Sequence, residues 1–383
     1  MNILIVCPMP PPYAGPEVAS EILLQNIPQE LINIYHIKSN IRDENWKKGK
    51  FDLYGLILTQ KIILKVIDCL IRKDIEKTYF LLSSSKIGFL RDSVYVLISY
   101  LFRKKIILHY RGGNFDGFYD KCNPLFKYYI KFILRISDLI IVQAEILKKM
   151  FLGITETKLK VLYNGLVVKE NKTKKIFNKE ETVLLFMGHI AFSKGFYELI
   201  RVYKRLFKKH SLKLLFAGTF RFEKEKSKTQ RAFLNGKVLE YYENHSAEIS
   251  AEINEFICNS EKYNSHYLGI VSGKEKENAF GGADILILPS YTEGFSFTVL
   301  EGLSDGLPVI VSNVGALPEI IKENYNGWIV EAGNEKSIED KITFAVSNKE
   351  GFGAISNNNK QYFRDNFDVK IISRQFEKIL YEA

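Results

Sequence analysis

Two glutamates eight positions apart, Glu293 and Glu301, are the side chains best placed for chemistry. They lie in ADILILPSYTEGFSFTVLE, residues 283–301, which reads as a buried strand, a turn at Pro289–Ser290 and a helix. Eight helical residues turn through about 800°, so the spacing predicts that both carboxylates project from roughly one side. A carboxylate at such a place suits the paired hydroxyls of a ribose, as in other nucleotide-binding α/β folds.

Donors for an anion accompany the two glutamates. The free N–H groups at the start of the helix, near Ser296, Phe297 and Thr298, favour a phosphate. Upstream, FMGHIAFSKG (residues 186–195) ends a strand at Gly188 and leaves Lys194 in the loop that follows. A lysine in a loop after a strand is well placed to meet a phosphate. The second half of the chain is therefore predicted to hold a phosphorylated ligand.

Short apolar runs alternate with segments of helical periodicity along the whole chain. The runs are continuous, which is typical of strands buried on both faces of a parallel sheet. They are Ile3–Cys7, Tyr79–Leu82, Lys105–His109, Leu139–Val142, Lys160–Tyr163, Val183–Met187, Leu212–Ala217, Asp284–Pro289 and Pro308–Ser312. This rhythm predicts an α/β fold of two Rossmann-like, doubly wound domains with the ligand in the cleft between them.

A charged stretch without periodicity, KENKTKKIFNKEET at residues 169–182, divides the 383 residues into two parts of ordinary domain size. We expect an N-terminal domain at 1–170, a linker at 171–182, a second domain at 183–365 and a C-terminal helix at 366–383 that is long enough to cross back to the first domain. No apolar run approaches the roughly 20 residues of a spanning helix, no signal peptide is visible, and the four cysteines fit no zinc or redox spacing. A cytoplasmic, reduced protein is expected.

These motifs resemble those of the retaining nucleotide-sugar glycosyltransferases of family 4, which have the GT-B fold. The resemblance rests on Glu293-x7-Glu301 within PSYTEGFSFTVLEGLSDGLPVI, on Gly188 through Lys194-Gly195, on the Tyr163-Asn164-Gly165 turn and on PPYAG at residues 11–15. It covers nearly the whole chain and is strongest over residues 283–321.

The resemblance implies a role for each matching residue. Contacts to the donor sugar are implied for Glu293, Gly294, Phe295 and Ser296, with Glu293 also stabilising the transition state. The donor phosphates are assigned to Gly15, His189, Lys194, Phe297 and Thr298, the ribose to Glu301, and the nucleobase to Gly269, Ile270 and Val271. His109 matches the family histidine near the anomeric carbon.

One position departs from the family pattern. His189 stands where an arginine is usual, five residues before Lys194, and a histidine offers less positive charge and no bidentate fork. Arg111, two residues beyond His109 in HYRGGNF, is our hypothesis for the missing cation. No Asp-x-Asp motif occurs, which argues against a metal-dependent transferase. Neither a metal nor any other cofactor is expected, since the nucleotide sugar is a substrate.

The implied reaction moves a sugar, with retention at the anomeric carbon, from a nucleotide sugar to a carbohydrate or lipid-linked acceptor in bacterial surface polysaccharide or lipopolysaccharide synthesis. A UDP-sugar is the first choice of donor and GDP-mannose the next. Two alternatives stay open. One is a donor-binding scaffold subunit without turnover, which His189 motivates. The other is a different GT-B enzyme, such as a nucleotide-sugar epimerase.

The net charge of +10 is concentrated in the first half, where residues 1–175 hold 28 basic and 16 acidic side chains. Lys127, Lys131 and Arg135 form a stripe on an aromatic-rich helical pattern, and Leu56–Arg72 has a similar composition. We expect this half to face an anionic membrane surface that holds the acceptor; a core helix with one solvated edge is the alternative. Nucleic acid is not expected, because no binding motif for it appears. No oligomeric state is predicted.

Overall fold

The computed structural model describes residues 1–40, 53–168, 177, 180–220 and 236–383. The chain forms two compact units, the first made of Met1–Val167 with Asn366–Ala383 and the second of Val168–Asp365. Most of the predicted linker, 171–182, falls outside the described residues. Each unit contains one six-stranded parallel sheet flanked by helices, so the predicted α/β fold with two doubly wound sheets is confirmed.

The sheet of the first unit has the strand order β2-β1-β3-β4-β5-β6. Its strands are β1 (Asn2–Cys7), β2 (Asn33–Lys38), β3 (Lys77–Leu82), β4 (Lys105–Tyr110), β5 (Leu139–Val142) and β6 (Leu159–Val161). Its first helices are α1 (Gly15–Asn26), α2 (Leu53–Arg72), α3 (Lys86–Leu101), α4 (Phe115–Asp120) and α5 (Pro124–Arg135). The central strands are buried along almost their whole length because helices cover both faces. The edge strand β2 is largely exposed, and its sequence NIYHIK lacks the continuous apolar run that marks the others.

The sheet of the second unit has the order β12-β11-β10-β7-β8-β9. Its strands are β7 (Thr182–Met187), β8 (Leu212–Ala217), β9 (Ser265–Tyr267), β10 (Ile285–Leu288), β11 (Val309–Ser312) and β12 (Gly327–Val330). Its helices are α6 (Phe196–Leu206), α7 (Gly236–Asn244), α8 (Ser246–Cys258), α9 (Gly273–Gly281), α10 (Phe297–Asp305), α11 (Leu317–Ile320), α12 (Glu335–Ser347) and α13 (Phe352–Phe367).

The last helix, α14 (Val369–Glu382), belongs to the first unit. Its N-cap is Asp368, whose carboxylate accepts a hydrogen bond of 2.9 Å from the Lys370 N–H, and the helix places Phe376 in the core of the first unit's sheet. A side chain at Gly165 would come within 3.0 Å of Ile372 on this helix. Glycine in the Tyr163-Asn164-Gly165 turn therefore lets α14 pack closely against the turn.

Helix α5 carries the predicted basic stripe, but its aromatic residues divide between two faces. Phe126 and Tyr129 pack inward against Phe89, with ring centroids 6.0 and 6.2 Å apart. Leu125 and Tyr128 stay 79% and 74% exposed. One face of this helix thus joins the core, while the other exposes apolar side chains to solvent. Contact with a membrane stays a prediction. None of the described helices is long and apolar enough to cross a membrane.

A buried lysine closes the end of α14 and provides a test of this packing. The Lys77 ammonium donates to the carbonyl oxygens of Leu380 at 3.2 Å and Tyr381 at 2.7 Å. Lys77→Met should lower the free energy of unfolding by about 1–3 kcal/mol, because these carbonyls lose a charged donor. Lys105→Met is the matched control: Lys105 begins the neighbouring strand, but its ion pair with Asp138 is exposed and contributes about 0–1 kcal/mol. Urea unfolding followed by circular dichroism measures both, and equal losses would contradict the capping role.

Candidate functional site

The strand order of the second unit reverses between its two central strands, β7 and β10. The chain runs outward from β7 through β8 to β9 on one side, and from β10 through β11 to β12 on the other. Ligands of such sheets bind outside the carboxyl ends of the strands, at the point of reversal. The loop after β7 carries Lys194 and the loop after β10 carries Glu293, so the topology brings both predicted residues to this point.

Lys194 and Glu293 form an ion pair with 2.7 Å between Nζ and Oε1. The hydroxyl of the buried Ser290 donates to the same oxygen at 2.8 Å. The Glu293 side chain is only 9% exposed and that of Lys194 24%. A carboxylate so removed from water is costly without a counter-charge and hydrogen bonds, and these two contacts supply both. The sequence predicted each residue as a ligand contact but not their contact with each other.

Glycines allow the loops around this pair to approach one another. Gly195 has φ +65°, and a Cβ there would lie 2.0 Å from the carbonyl oxygen of Pro289. Gly315, in the loop after β11, has φ +58°, and its Cβ would lie 2.0 Å from the carbonyl oxygen of Glu293. Any other residue would be strained in conformation and would push the backbone of its neighbour away. The backbone position of Glu293 therefore depends on two close approaches that only glycine permits.

Helix α10 begins at Phe297, after Ser296 as its N-cap. The expectation that helical residues separate Glu293 from Glu301 throughout is wrong, because Glu293 precedes the helix and its direction is set by the loop. The N–H groups of Phe297 and Thr298 lie in the first turn, where no preceding carbonyl of the helix can accept from them. Free N–H groups at a helix start favour an anion, and anion binding at this end of α10 stays a prediction.

Glu301 has a cation of its own. Its Oε1 lies 2.5 Å from the ammonium of Lys276 on α9, and both side chains are partly exposed. Glu293 and Glu301 are therefore held by different lysines and act as separate acceptors. A carboxylate has about four lone-pair positions, so Glu301 can accept from ribose hydroxyls while it keeps the ammonium.

The remaining residues predicted for the second unit lie on loops or at the start of α10. The proposed nucleobase segment Gly269–Val271 follows β9; the N–H of Gly218 donates to the carbonyl of Gly269 at 2.8 Å, and Ile270 is exposed. His189 is exposed in the loop after β7. Phe295 and Ser296 are buried, and Gly294 is half-buried.

In the first unit, His109 is buried within β4. The distance between its Nδ1 and the hydroxyl oxygen of Tyr79 is 2.7 Å, and its buried Nε2 has no hydrogen-bond partner among the described residues. Burial, together with the nearby positive charge of Arg111, holds the pKa of His109 well below its usual value. The imidazole is therefore neutral at physiological pH.

Arg111 follows the end of β4 and is half-buried. Its Nε and Nη1 atoms are buried without a hydrogen-bond partner in the part of the chain that the structure describes, and its side chain borders a small cavity together with Cys7, Ser20 and Phe376. Buried donors left unsatisfied cost free energy. The hypothesis that Arg111 supplies a cation to the ligand stays a prediction.

Gly15 is the first residue of α1 and is exposed. A Cβ at this position would meet no protein atom within 4 Å, and its φ is not in the left-handed region. Packing within the protein therefore does not require glycine here. A requirement for glycine would come from a ligand that approaches the backbone.

Ser290, Tyr291 and Lys276 are parts of the site that sequence reasoning did not select. Ser290 and Tyr291 lie within the motif that carries Glu293, so their neighbourhood was a signal. Lys276 lies 25 residues before Glu301 and has no local signal at all. Among the described residues, no three His, Cys, Asp or Glu side chains come together as a metal site. The expectation that no metal is needed stays a prediction.

Comparison with known proteins gives matches in sequence and in fold. The family model described as "Glycosyl transferases group 1" matches residues 167–362, about half of the chain. An uncharacterized glycosyltransferase of Methanocaldococcus jannaschii is 29% identical over 195 residues, which are 48% of this chain and 43% of that protein. The capsular polysaccharide biosynthesis glycosyltransferase CapM of Staphylococcus aureus is 23% identical over 211 residues, 55% of this chain and 48% of that protein. The chain thus spans about half the length of the relatives it matches.

A solved structure resembles the chain over its full length. The crystal structure of HepE from Anabaena in complex with UDP-glucose has a TM-score of 0.68 with 14% sequence identity and covers 100% of both chains. At this identity the likeness concerns the fold alone.

The neutral state of His109 predicts a pH dependence of stability. In the unfolded chain the imidazole takes up a proton as the pH falls through about 6.5, whereas in the folded unit its pKa lies lower. The unfolded state then binds more protons, so stability falls as the pH is lowered below about 6.5, by at most about 1.4 kcal/mol per pH unit from this group. His36, whose pKa burial also lowers, acts in the same direction. His109→Gln should lose less stability than the wild type between about pH 8 and pH 5.5 in urea unfolding; parallel losses would show that His109 is not the group responsible.

Proposed function

The chain belongs to the glycosyl transferases group 1 family, and from that membership we propose that it transfers a sugar from a nucleotide-sugar donor, in the first place a UDP-sugar, to a carbohydrate or lipid-linked acceptor. The observation that carries the proposal is the Lys194–Glu293 ion pair at the reversal of the sheet. Support comes from HepE, which has the same fold and was crystallised with UDP-glucose.

In this proposal the second unit holds the donor. Lys194 and the N–H groups of Phe297 and Thr298 bind the diphosphate, Glu301 accepts from the ribose, and Glu293 accepts from hydroxyls of the sugar. The segment Gly269–Val271 borders the base. The diphosphate competes with Glu293 for the ammonium of Lys194, so the lysine is drawn toward the group on which negative charge develops during transfer.

We propose that the anomeric configuration is retained and that no metal takes part. The bond between the anomeric carbon and the phosphate oxygen breaks, the acceptor oxygen bonds to the same face of that carbon, and the acceptor proton passes to the leaving phosphate oxygen. A glycosidase-like pair of carboxylates would have to stand about 5–10 Å apart across the reacting bond. Here Glu293 forms an ion pair with Lys194, and Glu301 forms another with Lys276. We assign both carboxylates to binding of the donor. Lys194 and the start of α10 take the electrostatic part that a metal plays in other transferases.

The first unit is proposed to contribute Gly15, His109 and Arg111. The backbone at Gly15 is open to the close approach of a phosphate. Neutral His109 and charged Arg111 offer the buried nitrogen atoms that lack partners, and Arg111 takes the part of the arginine that His189 replaces.

The acceptor is proposed to lie at a membrane surface, in bacterial surface polysaccharide or lipopolysaccharide synthesis on the cytoplasmic face. Support comes from α5, where Leu125, Tyr128, Lys131 and Arg135 are all exposed. Aromatic and basic side chains together suit the interface of an anionic bilayer.

Donor binding is tested by thermal unfolding with UDP, GDP, ADP and their sugars at millimolar concentration. A ligand at about 100 times its Kd should stabilise the fold by about 2.7 kcal/mol, so a uridine ligand should raise the midpoint. Lys194→Met should weaken that ligand about tenfold to a hundredfold, as expected for a lost charge-assisted hydrogen bond. Lys204→Met is the control, because Lys204 is similarly exposed and ion-paired in the same unit, but with Glu252 and Glu255 on α8. No shift with any nucleotide would contradict the donor assignment.

The same titration examines Arg111, and turnover separates the alternatives. If Arg111 supplies the cation, Arg111→Ala weakens UDP binding more than His189→Ala; the reverse order would reject the hypothesis. Release of nucleoside diphosphate that depends on a lipid-linked acceptor supports a transferase. Donor binding without release supports a scaffold subunit, and a free epimerised nucleotide sugar supports an epimerase.

Membrane contact is tested by co-sedimentation with vesicles. The protein should bind vesicles of phosphatidylglycerol and phosphatidylcholine more strongly than vesicles of phosphatidylcholine alone, and added salt should weaken the binding. Changing both Leu125 and Tyr128 to Asp should lower the bound fraction severalfold. Phe344→Asp, at a 46% exposed position in the second unit, should leave it unchanged. Equal binding by all three proteins would contradict a role for α5.

A further inference from the structure

The carboxylate of Glu198 is buried in the first turn of α6, close to the proposed donor site but outside every motif described above. The hydroxyl of Tyr291 donates to its Oε1 at 2.6 Å, and the hydroxyl of Tyr242 on α7 donates to the same oxygen. The two hydroxyl oxygens lie 3.5 Å apart. One buried oxygen of Glu198 thus accepts hydrogen bonds from two tyrosines that are far apart in sequence.

This carboxylate links the two loops that carry the Lys194–Glu293 ion pair. Glu198 follows Lys194 by four residues, and Tyr291 precedes Glu293 by two. The backbone repeats the link, because the N–H of Tyr291 donates to the carbonyl of Ser193 at 2.9 Å. The loop after β7 and the loop after β10 are therefore joined by one side-chain and one backbone hydrogen bond.

The Tyr291 ring also packs closely against Gly333. This glycine has φ +75°, and a Cβ there would lie 2.7 Å from Cε1 of the ring and 2.8 Å from its hydroxyl oxygen. Glycine at this position lets the chain after β12 approach the ring. Contact with this chain and the bond to Glu198 together restrict the movement of the Tyr291 ring.

The Glu198 network and the ion pair differ in how a ligand affects them. A diphosphate that binds Lys194 removes the counter-charge of Glu293. The tyrosine hydroxyls are neutral donors to a buried oxygen, so an anion at the loops does not compete for them in the same way. A charge-assisted hydrogen bond of this kind is strong and directional, and it keeps the loop in place while Lys194 changes partner.

We propose that Glu198 and Tyr291 are positioning residues that hold Glu293 in the direction needed for transfer. The inference rests on the proposed function, since it assigns a part in that reaction. Tyr242 makes the same type of bond to the same oxygen, but it belongs to α7 and not to the loop of Glu293. Tyr291 and Tyr242 are therefore a matched pair, of which only one should affect the reaction.

The test compares Tyr291→Phe with Tyr242→Phe, each of which removes one hydroxyl from Glu198. Tyr291→Phe should lower kcat about tenfold with little change in KM for the donor, because binding through Lys194 is kept while Glu293 is misplaced. Tyr242→Phe should change kcat less than twofold. Unchanged kcat in Tyr291→Phe, or equal losses in both variants, would overturn the proposal.

Variants of Glu198 distinguish positioning from general destabilisation. Glu198→Gln keeps an oxygen that accepts from both tyrosines and should restore most of the kcat that Glu198→Ala loses. Glu198→Ala combined with Tyr291→Phe should be little worse than Glu198→Ala alone, since both remove the same link. Additive losses, or no recovery with Gln, would count against the link.

A measurement without substrate keeps this inference separate from the proposed function. Hydrogen exchange of the amides in residues 290–294 should accelerate in Tyr291→Phe and not in Tyr242→Phe. If the wild type shows no turnover with any donor, the proposed function fails, and the exchange rates alone decide whether Tyr291 holds the loop. Equal exchange in the two variants overturns the positioning role whatever the turnover.

Discussion

A carboxylate taken out of water needs a counter-charge or hydrogen-bond donors, and the candidate site of the second unit is built around that need. Glu293 meets Lys194 across 99 residues of sequence because β7 and β10 are neighbours in the sheet and their carboxyl ends lie at the same edge. The contact also requires short distances between loops, which Gly195 and Gly315 permit. The Lys194–Glu293 ion pair therefore depends on the parallel sheet, on the reversal of its strand order and on the two glycines.

The polar groups buried at the carboxyl end of the first unit's sheet differ from Glu293 and Glu301 in their hydrogen bonding. Within the described part of the chain, Arg111 and His109 keep buried nitrogen atoms without hydrogen-bond partners, and the positive charge of Arg111 helps to keep His109 neutral. In the second unit, both Glu293 and Glu301 already have a lysine. An anion that binds Lys194 must therefore compete with Glu293 for the ammonium.

The sequence predicts best where one physical cause is local. Strands such as Leu139–Val142 and Leu212–Ala217 are predicted to the residue, because burial on both faces requires a continuous apolar run. The edge strand β2 is missed, since its exposure removes that run. The start of α10 near Phe297 is predicted, but the direction of Glu293 is not, because this residue lies in a loop that closely approaches Gly315, a contact that no spacing reveals. The lysine partners of Glu293 and Glu301 are missed for the same reason, since both contacts are long-range in sequence.

Glu293 must keep its orientation when its counter-ion, Lys194, changes partner. If a diphosphate draws Lys194 away, the carboxylate keeps the Ser290 hydroxyl and gains the hydroxyls of the sugar. A site held by the ion pair alone would then lose its geometry at the moment that geometry is needed. The loop of Glu293 then needs a second contact that does not depend on the charge of Lys194. The hydrogen bond from Tyr291 to Glu198 meets this requirement. Its acceptor is buried and its donor is neutral, so ligand binding leaves it intact. Lys194 can thus exchange Glu293 for the diphosphate, while the bond between Tyr291 and Glu198 keeps Glu293 in its orientation.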